Sequence, residues 1–367
     1  MPEGSFRCRT AKDFWPECHR GLPPAGVSGA ESMSGNPSRS RIGFASRLGF
    51  GASGIGTLYR DVSEAQAAEV LAEAYDGGMR YFDSAPLYGH GLSEHRLGSF
   101  LRTIDRKTVT VSTKVGRYMV PPYGETVNYG LWASPLRLKP VFDYSYAGTM
   151  RSLEQSASRL GIADFDLIYI HDVDRFTHGD AYERRFNEAI EGCYRALDDL
   201  RKAGHIKAIG IGVNEGDVAT RFIKACSLDA VMMAGRYTLL DRGAEADLLP
   251  EARRQGVEIV VAGVFNSGIL AAGPGNSGTT FDYGAPPEDV VIRAKAIEAI
   301  CDRYGVPLQA AAIQFPFRNP QVSAAVLGMS RPERIAQNLG WAELSIPDAL
   351  WGEIEQLFEP RRQLKQE

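Results

Sequence analysis

The sequence predicts an α/β chain closed as a (β/α)8 TIM barrel with long loops at its C-terminal face. Short β-branched or apolar runs alternate with longer amphipathic segments from Leu48 onward, the pattern of repeated βα units around a parallel sheet. About eight such units can be counted, and 367 residues is a length such barrels use without splitting. The competing open doubly wound sheet lacks its fingerprint. GFGASGIG, from Gly49 to Gly56, is rich in glycine, but no GxGxxG follows the first strand and opens a helix.

In chain order, strands are expected at Leu48 to Gly54, Arg80 to Ser84, Thr108 to Lys114 and Leu167 to His171, then at Ala208 to Val213, Ala230 to Tyr237, Glu258 to Phe265 and Ala324 to Gly328. The run after Ser63, EAQAAEVLAEAYD, reads as a helix with Ser63 as its N-cap and Gly77 and Gly78 as its stop. The run from Phe186 to His205 reads as another, ending at Gly204. Two connections are too long for simple turns. Gly116 to Tyr146 is rich in Pro, Tyr and Gly, and Asn266 to Pro287 is rich in Gly and Ser. Both follow strands, which puts them on the face where barrel enzymes keep their chemistry.

Residues 1–41 mix Pro, Gly, Ser and Arg without periodicity and read as a disordered extension, leaving 42–367 as a single domain. Lys and Arg number 41 against 45 Asp and Glu, so there is no basic excess for nucleic acid, and a small molecule is the expected partner. The five cysteines show no metal-binding or disulfide spacing, and no metal site is expected. No apolar run approaches the roughly 20 residues of a membrane span, which points to a cytoplasmic protein, monomeric or homodimeric.

The densest polar segment is FDSAPLYGHGLSEHRLGSFL, Phe82 to Leu101, in which a strand ends on Asp83 and runs into a loop carrying Tyr88. The next strand ends on Lys114, which needs a buried partner, and Asp83 on the adjacent strand end is the obvious one. The fourth strand ends on His171 at the same level. Taken singly, a buried tyrosine, an ion pair and a histidine are ordinary core features. Together on successive strand ends they suggest proton transfer. An ammonium beside Tyr88 is expected to pull its phenol down from about pH 10, so that Tyr88 moves the proton while His171 orients a substrate oxygen.

Asp83, Tyr88 followed by Gly89, Lys114 and His171, each at a strand end, resemble the catalytic tetrad of the aldo-keto reductases, and the likeness runs from about Arg41 to the C-terminal region. It implies a nicotinamide dinucleotide. Tyr237 matches the aromatic that stacks on the nicotinamide. The stretch Phe265, Asn266, Ser267, Gly268 and Leu270 matches the loop around the pyrophosphate, and LGMSRPERIAQN, with Arg331, Arg334 and Asn338, matches the adenosine-binding helix start. Two positions depart from the family pattern. Gly328 stands where NADPH-using members carry a lysine, which favours NAD with NADP as the alternative. The Ser-Asn pair that holds the carboxamide is replaced by GVNEGD, where Asn214 serves with a one-residue shift.

GFGASGIGTLYR, VFDYSYAGTMRSLEQS and AGRYTLLD are similar to the branch containing D-threo-aldose 1-dehydrogenase, L-fucose dehydrogenase and pyridoxal 4-dehydrogenase. That resemblance implies oxidation of a cyclic hemiacetal to a lactone, the substrate being an aldose such as L-fucose, D-arabinose or L-galactose, or pyridoxal. The alternatives are NADPH-dependent reduction of an aldehyde or ketone and a non-catalytic nicotinamide-binding sensor subunit. Tyr118, Tyr123, Tyr129 and Trp132 in the first long connection are expected to line a substrate lid.

Overall fold

A computed structural model describes residues 42–358, so the expected extension at 1–41 lies outside the described residues. Eight parallel strands close on themselves: β1 (Leu48–Gly51), β2 (Tyr81–Asp83), β3 (Thr110–Val115), β6 (Phe165–His171), β7 (Ile206–Val213), β8 (Ala230–Ala234), β9 (Glu258–Ala262) and β10 (Val322–Gly328). β1 pairs with both β2 and β10, which completes the barrel. Every strand expected from the alternation is present.

β2 stops one residue short of its expected end, and three other strands stop three residues short for local reasons. β1 gives way to a single 3-10 turn at Gly54–Gly56. β8 and β9 are broken by Gly235 and Gly263, whose φ values of +72° and +68° leave the extended region. The helix after Ser63 spans Glu64–Asp76, and the Ser63 hydroxyl accepts from Gln66 N at 3.2 Å. The expected Phe186 to His205 helix begins earlier, at Tyr182, and is interrupted by a π-turn at Ala189–Tyr194 before resuming as Arg195–Lys202. Gly192 lies against the backbone of Tyr144 and Ser145 in this turn, where a Cβ would meet Tyr144 O at 2.2 Å.

Two apolar layers follow from strand alternation. One set of side chains packs the barrel against its helices. The other fills the barrel and includes Tyr81, Leu167, Tyr169, Met232, Val260 and Val326, with Ile42 below and Phe44 laid 4.8 Å from the Tyr81 ring. The first long connection is not all loop. β4 (Arg117–Val120) and β5 (Lys139–Phe142) form an antiparallel hairpin that carries the segment between them across the C-terminal face.

Candidate active site

The register sets Asp83 beside Ser112 and Lys114 beside Tyr169, so neighbouring strand ends present their polar groups at one level. Lys114 Nζ donates to Asp83 Oδ2 at 2.5 Å and to Ser84 O at 2.8 Å. The lysine is 1% exposed. A hydrogen-bonded column supports this pair from within the barrel. Ser112 Oγ donates to Asp83 Oδ1 at 2.7 Å and so accepts from Tyr81 (3.0 Å), which in turn accepts from Tyr169 (3.2 Å). Burial raises the Asp83 carboxyl above its ordinary range, with Lys114 and Ser112 pulling it back.

Tyr88 comes to this pair from a loop held by close backbone packing. A Cβ on Gly89 (φ +60°) would meet Gly56 O at 2.4 Å, and one on Gly56 would meet the Tyr88 carbonyl carbon at 2.9 Å. Lys114 Nζ lies 4.6 Å from the Tyr88 ring centre, and the His171 ring stands edge-on to Tyr88 with centres 6.1 Å apart. The four candidate residues therefore converge.

Their electrostatics differ from the sequence expectation at Tyr88. Its phenol is pushed well above pH 10 by burial and then by the charges of Asp83 and Asp172, with Arg117 pulling the other way. The Lys114 ammonium that was expected to lower it is matched by the Asp83 carboxylate at 2.5 Å. Tyr88 is thus a neutral phenol at rest. Burial, then Arg117 and Lys114, hold the His171 imidazole well below its usual range, so it too is neutral.

Arg117 and Asp172 are the functional candidates that sequence reading missed. Arg117 is buried at the start of β4 and donates through Nη2 to Asp172 Oδ2 at 2.6 Å. Asp172 Oδ1 is 3.4 Å from His171 Nε2. The available signal was an arginine directly after Gly116 and an aspartate directly after His171.

One of the four lid aromatics reaches the site and a second packs on the loop that carries Tyr88. Trp132 lies 5.9 Å from the Tyr88 ring, and Tyr129 lies 5.1 Å from the His90 ring. Backbone bonds from Tyr59 N to Leu131 O and from Leu136 N to Gly89 O pin this segment down, as does the His90 Nδ1 donation to Leu138 O. Tyr118 instead lies under Arg151 at 4.1 Å, and Tyr123 is 86% exposed. Tyr118 is part of β4 itself, and Tyr123 stands in the first turn after that strand.

The residues expected at a dinucleotide divide in the same way. Asn266, Ser267 and Gly268 have successive positive φ values of 45°, 58° and 119°, an irregular turn at the C-terminal face. A strap from Thr280 to Gly284 lies over it: Thr280 Oγ1 donates to Ser267 O, and Tyr283 N donates to Ser267 Oγ. Arg236 holds the strap by paired bonds to Asp282 at 3.0 and 2.8 Å. A cavity of about 370 Å³ behind the strap, lined by Arg242, Arg293 and Phe358 among others, contains none of the four candidate residues.

Asn266 itself is buried and committed to Thr238 and Gly235 O, while Leu270 is buried and Phe265 half-buried. Asn214, at the end of β7, faces Asp174. Gly328 is exposed, as are Arg331 and Arg334 at the start of the helix Pro332–Ala342, and Asn338 is buried within that helix. An exposed cationic helix start suits a phosphate. Tyr237 does not join this surface. It is 4% exposed, its ring lies 5.3 Å from Phe315 and its hydroxyl is turned to Asn319, which leaves no open face for stacking. The turn and the helix start together fit a dinucleotide. Among the described residues no group of three metal-ligating side chains is found, and no helix is long and apolar enough to cross a membrane.

Comparison with known proteins agrees with this architecture. A family model described as the aldo/keto reductase family matches residues 47–359. The chain is 45% identical to a pyridoxal 4-dehydrogenase of Microbacterium luteolum, covering 83% of this chain and 91% of the relative. It is 40% identical to a D-threo-aldose 1-dehydrogenase of a Pseudomonas species, covering 84% and 92%. Among solved structures, a glycerol dehydrogenase from Gluconobacter oxydans shares the fold with a TM-score of 0.64 at 22% identity, covering 88% of this chain and 95% of its own. The barrel, the polar group on its rim and these matches lead to one conclusion: the chain belongs to the aldo/keto reductase family, as an oxidoreductase acting on CH–OH groups with a nicotinamide cofactor.

Proposed function

We propose that this enzyme oxidises a cyclic hemiacetal at its hydroxyl-bearing carbon to the lactone, the substrate being an aldose such as L-fucose, D-arabinose or L-galactose. The observation that carries this reading is the meeting of Tyr88, His171 and Trp132 above the Lys114–Asp83 pair, a proton-transfer group with an aromatic wall. The names of the two relatives at 45% and 40% identity support the same reaction type. Pyridoxal is the second substrate reading, favoured by the 45% relative and by an indole wall suited to a flat pyridine ring.

A nicotinamide dinucleotide held at the Ser267–Gly268 turn and the Arg331–Arg334 helix start would supply the hydride acceptor. His171, a neutral imidazole, donates N–H to the reacting oxygen, and Tyr88, after releasing its own proton to solvent, takes the hydroxyl proton as the carbonyl of the lactone forms. Lys114, fixed by Asp83 and 4.6 Å from the Tyr88 ring centre, offsets the negative charge that forms on Tyr88, which Asp83 itself opposes. In the reverse direction Tyr88, already a phenol, gives its proton to a carbonyl oxygen. NAD is the favoured carrier because Gly328 offers no cation for a 2'-phosphate, with NADP the alternative through the exposed Arg331 and Arg334.

The test is NADH and NADPH formation from L-fucose, D-arabinose, L-galactose and pyridoxal under matched conditions. One dominant pair among these supports the reading and names substrate and carrier. No turnover of any of the four, with rapid NADPH-dependent reduction of simple aldehydes, replaces it with a reductase. Tight cofactor binding without any turnover replaces it with a sensor.

A further inference from the structure

In an extended strand, the residue after His171 would point to the opposite face of the sheet from the histidine. Asp172 does not, because its φ of +53° turns the chain at that residue while its N–H still donates to Gly212 O at 2.9 Å. Its carboxylate is thereby returned to the same rim, with Oδ1 3.4 Å from His171 Nε2 and the side chain 16% exposed. Arg117 fixes the other oxygen: its guanidinium is buried, lies 4.3 Å over the Phe142 ring and donates a single bond of 2.6 Å to Oδ2. A carboxylate that served only to neutralise Arg117 would take the paired geometry that Arg236 makes with Asp282. Here one oxygen is anchored and the other is left beside the histidine.

We propose that Asp172 is a specificity-determining residue whose Oδ1 accepts hydrogen bonds from ring hydroxyls next to the reacting carbon, so that the site prefers polyhydroxylated hemiacetals to those bearing no other hydroxyl. A carboxylate only accepts, and the hydroxyls of a sugar ring are the donors it needs. This inference rests on the hemiacetal reading above.

The test compares the wild-type enzyme with Asp172→Asn on L-fucose and on 2-hydroxytetrahydropyran, a cyclic hemiacetal without further hydroxyls. Binding of 1,5-anhydro-L-fucitol, which cannot be oxidised at C1, is measured in parallel on the NAD-loaded enzyme. The loss of a hydrogen bond to a charged group predicts a fall in kcat/KM for L-fucose on the order of 10- to 100-fold, mostly in KM. Any effect of the lost charge on Tyr88 is common to both hemiacetals, so the loss on L-fucose should exceed the change on 2-hydroxytetrahydropyran by at least about tenfold, and anhydrofucitol binding should weaken by about the factor that separates the two. Equal losses on both hemiacetals would make Asp172 a support for His171 and overturn the proposal, as would no loss on either.

If the wild-type enzyme oxidises neither compound, the hemiacetal reading fails by itself. Anhydrofucitol binding then decides the role of Asp172, weakened binding in the variant supporting it and unchanged binding overturning it. Should Asp172→Asn not fold, the preference of the unaltered enzyme for L-fucose over 2-hydroxytetrahydropyran is decisive, and equal kcat/KM values would overturn the proposal.

Discussion

At Tyr88 the fold holds a proton that oxidation must displace. Burial and the charges of Asp83 and Asp172 keep the phenol neutral well past pH 10. A step that needs the phenolate therefore gains rate as pH rises, and the reverse reduction, which needs the phenol, does not. Initial rates of hemiacetal oxidation should climb from pH 7 to pH 10 without levelling, by up to about tenfold per unit when a single ionisation controls the step. A plateau by pH 8 would show that Tyr88 does not lose its proton from the resting state. Tyr88→Phe should lower turnover by at least about 10²-fold while cofactor binding, followed by fluorescence titration, stays within about twofold, since the lost group handles only the proton. Wild-type activity in that variant would remove Tyr88 from the mechanism.

Between elements, charge pairs decide what moves and what does not. Glu94 is fully buried on the helix Leu92–Leu101, accepting from Thr113 Oγ1 at 2.6 Å and from Arg159 Nε at 2.7 Å, and so ties that helix to β3 and to the helix Tyr146–Leu160. Glu94→Gln leaves Arg159 buried without its counter-charge and should cost about 3–5 kcal/mol in urea unfolding. Removing both charges, as Glu94→Met with Arg159→Leu, should recover most of that; a single variant costing under about 1 kcal/mol would mean that the pair is not desolvated in solution. The Arg236–Asp282 pair holds a strap and not a core. If the dinucleotide lies against Ser267 and Gly268 as proposed, Arg236→Ala should speed its release by about tenfold, roughly the weight of one such ion pair. Stopped-flow fluorescence with an unchanged release rate would separate the strap from the cofactor.

Over the whole molecule, what could be read in advance were the features set by local periodicity and position. Eight strands were visible as apolar runs, and Asp83, Lys114 and His171 were visible together because each lies at or one residue before a strand end and parallel register aligns strand ends. Contacts made by chain crossing were not visible. Trp132 reaches Tyr88 only through the hairpin beneath its segment, Arg117 pairs with Asp172 across 55 residues, and Tyr237 turns its ring to Phe315 once Gly235 ends the strand. Burial of histidine was equally hidden in the sequence, and it has a global consequence. His171 is held well below its usual range, and His90, His95 and His178 are also lowered, burial being the first cause in each. Above about pH 6.5 these imidazoles are neutral in both folded and unfolded chains, and the fold keeps its full stability. Below that pH the unfolded chain takes up protons that the folded chain refuses, so stability falls as pH drops. The urea midpoint should therefore be lower at pH 5.5 than at pH 7.5. His171→Gln should shrink that difference, since its imidazole is the most strongly depressed of the four, whereas a midpoint indifferent to pH would mean that these imidazoles are protonated in the folded protein.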